Sequence, residues 1–303
     1  MDEIDLKIIL LLFNNSRLTY REISDHLGLS VNAIYKRVQS LIDLKIIEKF
    51  SAKLKSYAIN AIYAFVFGQC NAQDIDKAIS ELGKHESTWQ IILSSRNYMY
   101  IGAMLETIHQ LDEYSSFVSQ TVEIQSPKIG LLSGVQYTAP IPYIVPKSRS
   151  MNYDKLDLEI IRSLNKDSRK PISEIADDVN STSSTIRRRL TRMIEEGIIE
   201  LSIDFNPEAS NDIFALFQIT INPMVDKNEF AKYLNENFHP NLFFCWTFSN
   251  LPNLILCWVW VNTMKELTEL VENIKKENID SIIIDIMYKV FYFDTWKENL
   301  IYK

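Results

Sequence analysis

Two predicted helices carry side chains whose chemistry suits the edges of DNA bases and the phosphate backbone. In the first helix, Asn32 and Gln39 each offer a paired donor and acceptor, which matches adenine. In the second, Arg187 and Arg188 offer guanidinium forks that match guanine or phosphate. Residues 183–192 contain four arginines and no acid, so a basic face exists although the net charge is −7. This chemistry predicts contact with double-stranded DNA.

The predicted DNA contacts cover the outer face of both helices and two lysines that follow the first. They are Ser30, Val31, Asn32, Tyr35, Lys36, Arg37, Gln39, Lys49 and Lys53, and then Thr182, Ser183, Ser184, Arg187, Arg188, Arg189, Thr191 and Arg192. Arg37 and Arg189 occupy equivalent positions, where they either contact phosphate or form internal ion pairs. Glu22 and Glu174 are the candidate partners for such pairs. A run of charged residues such as Arg187 to Arg189 is usually a solvated helix face. Its position on the third helix of a helix-turn-helix favours contact with DNA instead.

These helices belong to one pattern that occurs twice, with an offset of 152 residues. Residues 5–9 (DLKII) recur as 157–161 (DLEII), and the match continues without a gap to Glu48 and Glu200. Each copy contains apolar residues at helical spacing in three successive segments. A short second helix and a third helix with an exposed polar face form a helix-turn-helix, in which the third helix reads DNA. A duplicated chain therefore carries two recognition helices.

Capping signals place the helix boundaries in both copies. Thr19 and Glu22 form a capping box at the second helix, and Gly28 ends it. Ser30 and Thr182 are the predicted N-caps of the two third helices.

Strand-forming residues then follow each third helix, at 46–50 and 54–57 in the first copy and at 198–205 in the second. Each copy is thus predicted to be a winged helix-turn-helix. Lys49 and Lys53 in the first wing either contact the DNA backbone or protect a strand edge from aggregation. The second wing carries Glu200 and Asp204 and no basic residue.

A longer segment with the element order βαββαβ follows each winged helix. The predicted strands are 62–67, 89–93, 99–104 and 122–132 in the first half, and 213–221, 242–248, 254–261 and 282–293 in the second; the helices are 74–82, 108–117, 229–237 and 265–276. This order is typical of the ferredoxin-like fold. The fold class is therefore α+β, built from two repeats of a winged helix-turn-helix and a ferredoxin-like domain.

The expected domain boundaries follow from these patterns. Winged helices occupy residues 1–60 and 151–206, ferredoxin-like domains occupy 61–137 and 207–303, and a linker with three prolines occupies 138–150. An aromatic cluster on the paired strands of the second half predicts a packed face between sheets, with a ligand cage as the alternative; its members are Phe243, Phe244, Trp246, Phe248, Trp258 and Trp260.

Composition narrows the classes of protein that this chain fits. Hydrophobic residues make up 47% and charged residues 23% of 303 residues, as in ordinary globular proteins. Three scattered cysteines and four histidines lack metal-site spacing, and we expect no metal and no cofactor. Cys245 and Cys257 are expected to lie opposite each other on a hairpin near Leu251, as packed thiols more readily than as a disulfide. The apolar runs are too short for a membrane span, and we expect a cytoplasmic protein.

The repeated pattern resembles the amino-terminal domain of the Lrp/AsnC family, the feast-or-famine regulators. The matching residues are 5–9, Arg17, 22–24, 28–30, 37–38 and 45–47, and in the second copy 157–161, 168–171, 174–176, 189–190 and 197–199. The resemblance implies a βαββαβ effector and dimerisation domain after each winged helix. It also implies a DNA-binding transcriptional regulator without enzymatic activity, in which the two halves form an internal pseudo-dimer. Further homo-dimerisation through the βαββαβ sheets stays open.

The loop between the second and third strands of the family's effector domain typically carries a Gly-Asp signature near an amino-acid pocket. Here that loop reads SSRNY at 94–98 and SNLPN at 249–253, so neither copy keeps the signature. Candidate effector contacts are nevertheless Ser95, Asn97, Ser249 and Asn250, for an effector that the sequence does not identify.

Two other functions fit a chain of this organisation. Siroheme decarboxylases are similar in architecture, and some occur as fused pairs, but their sheet carries a histidine close to a Tyr-Asn-Leu-Trp segment. The nearest counterparts here, at 96–99 and 252–255, have no histidine beside them. A partner subunit that has lost DNA binding is the other alternative.

Overall fold

The computed structural model describes residues 1–136 and 152–302 of the chain. The elements of the first half are α1 (Glu3–Asn14), α2 (Tyr20–Leu27), α3 (Val31–Asp43), β1 (Ile47–Leu54), β2 (Ile62–Gln69), α4 (Ile75–Leu82), β3 (Thr88–Ser94), β4 (Tyr98–Leu105), α5 (Gln110–Thr121) and β5 (Lys128–Gln136). Those of the second half are α6 (Lys155–Leu164), α7 (Ile172–Asp178), α8 (Ser183–Glu195), β6 (Ile199–Phe205), β7 (Ile213–Ile221), α9 (Lys227–Asn237), β8 (Leu242–Phe248), β9 (Leu254–Val261), α10 (Met264–Ile274), β10 (Ile279–Tyr292) and α11 (Trp296–Leu300). Both halves thus have the predicted α+β order.

The chain groups into two units, and each unit combines one part of both halves. The winged-helix unit contains residues 2–61, the described part of 139–210, and 296–302; the barrel unit contains 62–136 and 211–295. The predicted linker at 138–150 lies outside the described residues. Residues 296–302 group with the winged helices, whereas the sequence pattern predicts them in the second ferredoxin-like domain.

The helices of the winged-helix unit begin and end at the predicted capping residues. The Thr19 side chain accepts a hydrogen bond from the backbone N–H of Glu22, which completes the capping box. Gly28 has φ +66°, a left-handed conformation that glycine adopts without strain, and it ends α2. Ser30 and Thr182 cap α3 and α8 through their side-chain oxygens. These local signals confirm the helix-turn-helix in both copies.

The wings differ from the predicted arrangement. The first copy contributes one continuous strand, β1, instead of a hairpin from 46–50 and 54–57. This strand pairs antiparallel with β6 of the second copy, and Phe50 lies opposite Ile203. The two copies therefore share one two-stranded ribbon.

The core of the second winged helix includes residues from outside its own copy. Ala52 and Leu54 of β1 and Ile301 after α11 are buried there together with Ile186 and Leu190 of α8. Removing such apolar area from water is the main stabilising term in a core of this kind. The second winged helix is therefore completed by the ribbon and by the segment that contains α11.

The two ferredoxin-like domains of the barrel unit form one closed barrel. Each half contributes a four-stranded antiparallel sheet, in the orders β3-β4-β2-β5 and β10-β7-β9-β8. The sheets join at both edges, because β5 pairs with β8 and β10 pairs with β3. Closure leaves neither sheet with an exposed edge strand.

Aromatic side chains from both halves fill the face between the sheets. Phe65 of β2 lies 5.3 Å from Trp246 and 6.2 Å from Phe248, measured between ring centroids. Gly130 of β5 faces Phe248 so closely that an added Cβ would lie 2.5 Å from the ring. Offset and edge-to-face packing of this kind stabilises a core. The arrangement is a packed interface between sheets, as predicted, and not an open ligand cage.

Cys245 and Cys257 face each other on the hairpin of β8 and β9, as expected. Both are fully buried free thiols with their Sγ atoms 3.1 Å apart. Burial raises the pKa of the Cys257 thiol well above its ordinary value, so the pair behaves as two small packed side chains.

Candidate nucleic-acid interface

Both recognition helices, α3 and α8, present polar faces to solvent. Ile34 and Val38 of α3, like Ile186 and Leu190 of α8, are buried, which fixes the opposite face outward. The exposed predicted contacts are Ser30, Val31, Asn32, Tyr35 and Lys36 on the first helix and Thr182, Ser183, Ser184, Arg187, Arg188 and Thr191 on the second. The structure thus gathers most of the predicted contacts on two surfaces.

Arg187 and Arg188 are the exposed cations of the second recognition helix. Neither forms an ion pair with a residue in the described ranges. Their guanidinium groups are therefore available to a phosphate or to the O6 and N7 acceptors of guanine.

The first recognition helix offers different chemistry. Tyr35 is 48% exposed and packs edge-to-face on Tyr20 at 5.4 Å, which orients its ring. Gln39 is only half-buried, and its amide donates to Asp43 Oδ1 at 2.9 Å. Asn32 is exposed near the start of the helix. The two helices therefore present different donor and acceptor groups to solvent.

Arg37 and Arg189 form internal ion pairs, but not with Glu22 and Glu174. The Arg37 guanidinium lies 2.7 Å from Asp5 and 2.8 Å from Asp2, at the start of α1. Helix packing brings the start of the first helix against the third, and sequence spacing did not reveal this.

The second copy repeats the arrangement, because Arg189 lies 2.7 Å from Asp154 and 3.0 Å from Asp157. Arg192 also pairs with Asp157, whose side chain is 1% exposed. Arg37, Arg189 and Arg192 hold their recognition helices to the helix bundle, which favours the internal ion pair over phosphate contact.

The Asp154 pair gives a pH-dependent prediction. Hydrogen bonds from Arg189 lower the pKa of the Asp154 carboxyl below its ordinary value. A depressed folded-state pKa contributes stability that is present above the unfolded pKa and is lost as pH falls through the folded value. Because Asp154 is 56% exposed, Asp154→Asn is expected to lower the free energy of unfolding at pH 7 by no more than about 1 kcal/mol. The difference should be smaller at pH 2 than at pH 7.

Denaturant titrations of both proteins at the two pH values test this. Asparagine keeps the capping function, so the comparison isolates the charge. Asp177→Asn, at an exposed position of α7, serves as the control and should leave stability unchanged at both pH values. If Asp154→Asn lowers the free energy of unfolding equally at pH 7 and at pH 2, the ion pair with Arg189 is not the cause of the loss.

Lys49 and Lys53 lie on the shared ribbon opposite acidic residues. Lys49 pairs with Asp204, with 3.9 Å between the charged groups, and Lys53 is in register with Glu200. Cross-strand pairs of opposite charge stabilise a ribbon. This neutral environment favours the structural interpretation of both lysines over backbone contact.

The structure also brings together two arginines that the sequence analysis did not place at a site. Arg17 and Arg169 occur at equivalent positions in the loops before α2 and α7, and both line one cavity with Leu18, Thr19 and Tyr20. The recurrence of Ser-Arg at 16–17 and 168–169 was the sequence signal that could have identified this pair.

Three of the four candidate effector residues, Ser95, Ser249 and Asn250, make hydrogen bonds to the facing sheet. Ser95 Oγ accepts from the backbone N–H of Ile286 at 3.0 Å. Asn250 accepts from the N–H of Leu131 and donates to the carbonyl of Ile129, both at 2.8 Å. Ser249 donates its backbone N–H to the Leu131 carbonyl at 2.8 Å, and the Asn97 carbonyl accepts from Cys70 at the same distance. These loops join the two sheets, and most of the polar groups named here are partnered. Asn253 Oδ1, in the second loop, is buried without a hydrogen-bond partner among the described residues.

A buried polar cluster lies in the same barrel. The Asp285 carboxylate is fully buried and accepts hydrogen bonds from Tyr100 at 2.6 Å and from Arg96 Nε at 3.0 Å. Gln218 donates to Asp285 at 3.2 Å and to the Tyr100 oxygen at 2.8 Å. Burial raises the pKa of Tyr100, so this hydroxyl stays neutral and donates. The cluster links the first half to β7 and β10 of the second.

Two general absences complete the description of residues 1–136 and 152–302. None of the helices there is both long and apolar enough to cross a membrane. No group of three or more His, Cys, Asp or Glu side chains in these ranges is arranged to hold a metal ion.

Comparison with known proteins matches the two winged helices directly. A family model described as winged helix-turn-helix DNA-binding matches residues 1–48 and 153–200. An uncharacterized HTH-type transcriptional regulator of Pyrococcus furiosus is 33% identical over 106 residues, which are 35% of this chain and 72% of that protein. The chain belongs to the Lrp/AsnC family of HTH-type transcriptional regulators. It spans less of two further Pyrococcus regulators, 57% and 60% of their lengths.

The chain is also similar to solved structures. A Pyrococcus furiosus transcriptional regulatory protein of the AsnC family is 27% identical, with 44% of this chain and 88% of that chain covered and a TM-score of 0.35. The siroheme decarboxylase NirDL, in complex with an iron-uroporphyrin III analogue, has a TM-score of 0.61 at 10% identity and covers 98% of this chain and 94% of its own. The likeness to NirDL is one of fold alone.

Proposed function

We propose that this Lrp/AsnC family member is a DNA-binding transcriptional regulator whose two halves act as an internal pseudo-dimer with unequal recognition helices. The observation that carries the proposal is the pair of winged helices, each with a polar, exposed recognition helix. Family membership supports the same function, since the matching relative is described as an HTH-type transcriptional regulator. Its partner is double-stranded DNA, and its action is binding without catalysis.

The unequal recognition helices support an asymmetric binding site. Arg187 and Arg188 stand where the first copy has Tyr35 and Lys36. A guanidinium fork discriminates guanine from other bases, and each good bidentate pair contributes about 1–3 kcal/mol of discrimination. The second half-site is therefore proposed to depend on guanine or phosphate contacts. In the first, Asn32 is the proposed adenine contact.

We do not carry the reaction of NirDL over to this chain, because the likeness is one of fold alone. The loops at 95–97 and 249–253 make hydrogen bonds to the facing sheet. Catalytic competence is therefore not part of the proposal. We also propose no effector at Ser95, Asn97, Ser249 or Asn250. Ser95 and Asn250 use their side chains, and Ser249 its backbone N–H, in hydrogen bonds to the facing sheet.

Selection of oligonucleotides from a random pool by the intact chain tests the proposal. We expect a site with two different halves, because the recognition helices differ. The halves should lie about one helical turn apart, the usual spacing for paired helix-turn-helix units. Probes with two copies of the first half or two copies of the second should bind about tenfold more weakly than the mixed site. The absence of any sequence-selective binding at low salt would overturn the function, and equal affinity for all three probes would overturn the asymmetry.

A further inference from the structure

The loops between the first and second helices of the two copies meet at a pseudo-twofold axis. Ser16 and Ser168 stand 152 positions apart, are both buried, and share a hydrogen bond of 2.6 Å between their Oγ atoms. The Ser16 N–H donates to Leu201, and the Ser168 N–H donates to Phe50, on the two strands of the ribbon. Each loop is therefore fixed by the other copy.

Arg17 and Arg169 cross this axis in opposite directions. Arg17 Nη1 donates to the carbonyl oxygens of Ser168 and Lys170, the latter at 3.0 Å. Arg169 Nε donates to the carbonyl of Ser16 at 2.7 Å, and its Nη2 donates to that of Leu18 at 3.2 Å. The guanidinium of Arg169 also lies 4.1 Å from the ring centroid of Phe50. All these partners are neutral, so they orient the two charges without balancing them.

The charges of Arg17 and Arg169 have no close counter-charge among residues 1–136 and 152–302. Neither guanidinium lies within 4.0 Å of a carboxylate there. Asp167 is the nearby acid, and its Oδ1 accepts from the backbone N–H of Arg169 at 2.8 Å. Burial lowers the pKa of both arginines, and the charge of Arg169 lowers that of Arg17 further, although Asp167 opposes these effects. Two partly buried like charges are more favourable with an anion between them.

A cavity of about 360 Å³ lies beside the pair and is lined by Arg17, Leu18, Thr19, Tyr20 and Arg169. The hydrogen bonds of Arg17 to described residues use Nη1, so Nε and Nη2 remain available there to a ligand. Arg169 already donates from all three of its nitrogens, including Nη1 to the Tyr20 hydroxyl at 3.4 Å. The free donors of Arg17, beside the positive charge of Arg169, are suited to the oxygens of a phosphate.

The cavity adjoins the first recognition helix. Tyr20, which lines the cavity, packs edge-to-face on the exposed ring of Tyr35 at 5.4 Å. A duplex that reaches both recognition helices must pass the axis that relates them. The phosphates of the segment between the half-sites would then pass close to Arg17.

We propose that Arg17 and Arg169 form a phosphate site at the pseudo-twofold axis, which holds the DNA backbone between the two half-sites. The inference rests on the proposed function and adds a third point of contact to the two recognition helices. The contact is independent of base sequence, because phosphates carry no base information. It fixes the register of the duplex between the unequal helices.

Salt titration of DNA affinity tests the proposal with the full chain and its selected site. Each phosphate contact contributes about −0.9 to the slope of log affinity against log salt, so Arg17→Ala should reduce the magnitude of that slope by about 1. Affinity at low salt should fall about tenfold on selected and random sequences alike. Arg17→Lys keeps the charge and should retain most of the slope, while Lys166→Ala, an exposed lysine in the loop before α7, is the matched control.

A scan with neutral methylphosphonate linkages places the contact without altering the protein. Linkages between the half-sites should weaken binding by the intact chain, and the same linkages should have no effect on Arg17→Ala. If Arg17→Ala does not fold, the same scan with the intact chain and with Arg17→Lys still shows whether the central phosphates are contacted. The proposal is overturned if Arg17→Ala retains the full salt slope. It is also overturned if no central methylphosphonate linkage weakens binding by the intact chain.

Inorganic phosphate distinguishes the two sources of this ligand chemistry. Thermal unfolding of the DNA-free chain with and without phosphate measures binding of the free anion. If millimolar phosphate stabilises the intact chain but not Arg17→Ala, and the salt slope for DNA is unchanged, the site takes a free anion and the DNA assignment is wrong. If the intact chain binds no DNA at all, the proposed function itself fails, which is a separate outcome.

Discussion

Asp285→Ala is expected to lower the free energy of unfolding of the barrel unit by about 3 kcal/mol. The Asp285 carboxylate is fully buried and accepts hydrogen bonds from Arg96, Tyr100 and Gln218. Its removal leaves buried donors without an acceptor, and each such group costs about 1–3 kcal/mol. Arg96 is 52% exposed, so water can hydrate its guanidinium once Asp285 is removed. The expected loss therefore lies at the lower end of the range for breaking a buried ion pair.

Urea titration followed by tryptophan fluorescence measures this loss, because Trp89, Trp246, Trp258 and Trp260 lie in the barrel unit. Asp280→Ala on the same strand is the control; this side chain is exposed, and the change should stay within about 0.5 kcal/mol. The double variant with Arg96→Ala should lose less than the sum of the single variants, because the two groups are coupled. A loss below about 1 kcal/mol for Asp285→Ala would show that the cluster is not essential to the barrel.

Arg187→Ala combined with Arg188→Ala is expected to weaken binding to the selected DNA site about a hundredfold. One bidentate arginine contributes about 1–3 kcal/mol, and a lost phosphate contact reduces the salt slope by about 1. Neither arginine is paired with a described residue, so the folded structure should tolerate the change. Discrimination at the second half-site should disappear, while the preference at the first half-site remains.

Fluorescence anisotropy with mixed and symmetric probes measures the affinity and the preference at each half-site. Lys155→Ala is the matched control, since this lysine is 91% exposed in the winged-helix unit but lies on α6. It should leave both quantities unchanged. Unaltered binding by the double arginine variant would exclude α8 from the interface and support a second copy that has lost DNA contact.

Local sequence signals predicted the elements of this chain well because those signals act over a few residues. Capping by Thr19, Ser30 and Thr182 depends on side chains that reach the next helical turn. The pairing of Cys245 with Cys257 followed from alternation along a short hairpin. The interface between the sheets was recognisable because aromatic residues recur on alternate positions of paired strands.

Contacts between residues far apart in the chain could not be predicted from such local signals. The pattern at 46–57 fits a local hairpin and a single strand equally, and only the β6 partner in the other copy decides between them. The partners of Arg37, Asp2 and Asp5, lie about 30 residues away and meet it through helix packing. For the same reason the Arg17 and Arg169 pair was absent from the predicted site, since each arginine is unremarkable within its own copy.

The barrel closes through strands that the ribosome synthesises far apart in time, β3 early and β10 near the end of the described chain. The free edge of the first sheet at β3 is covered by residues 287–292 of β10, about two hundred residues later in the chain. Until then, a nascent first half exposes an unpaired strand edge and an apolar sheet face, which favour association with other chains. Slow translation or a shortage of chaperones should therefore harm the yield of this protein more than that of proteins whose sheets close locally.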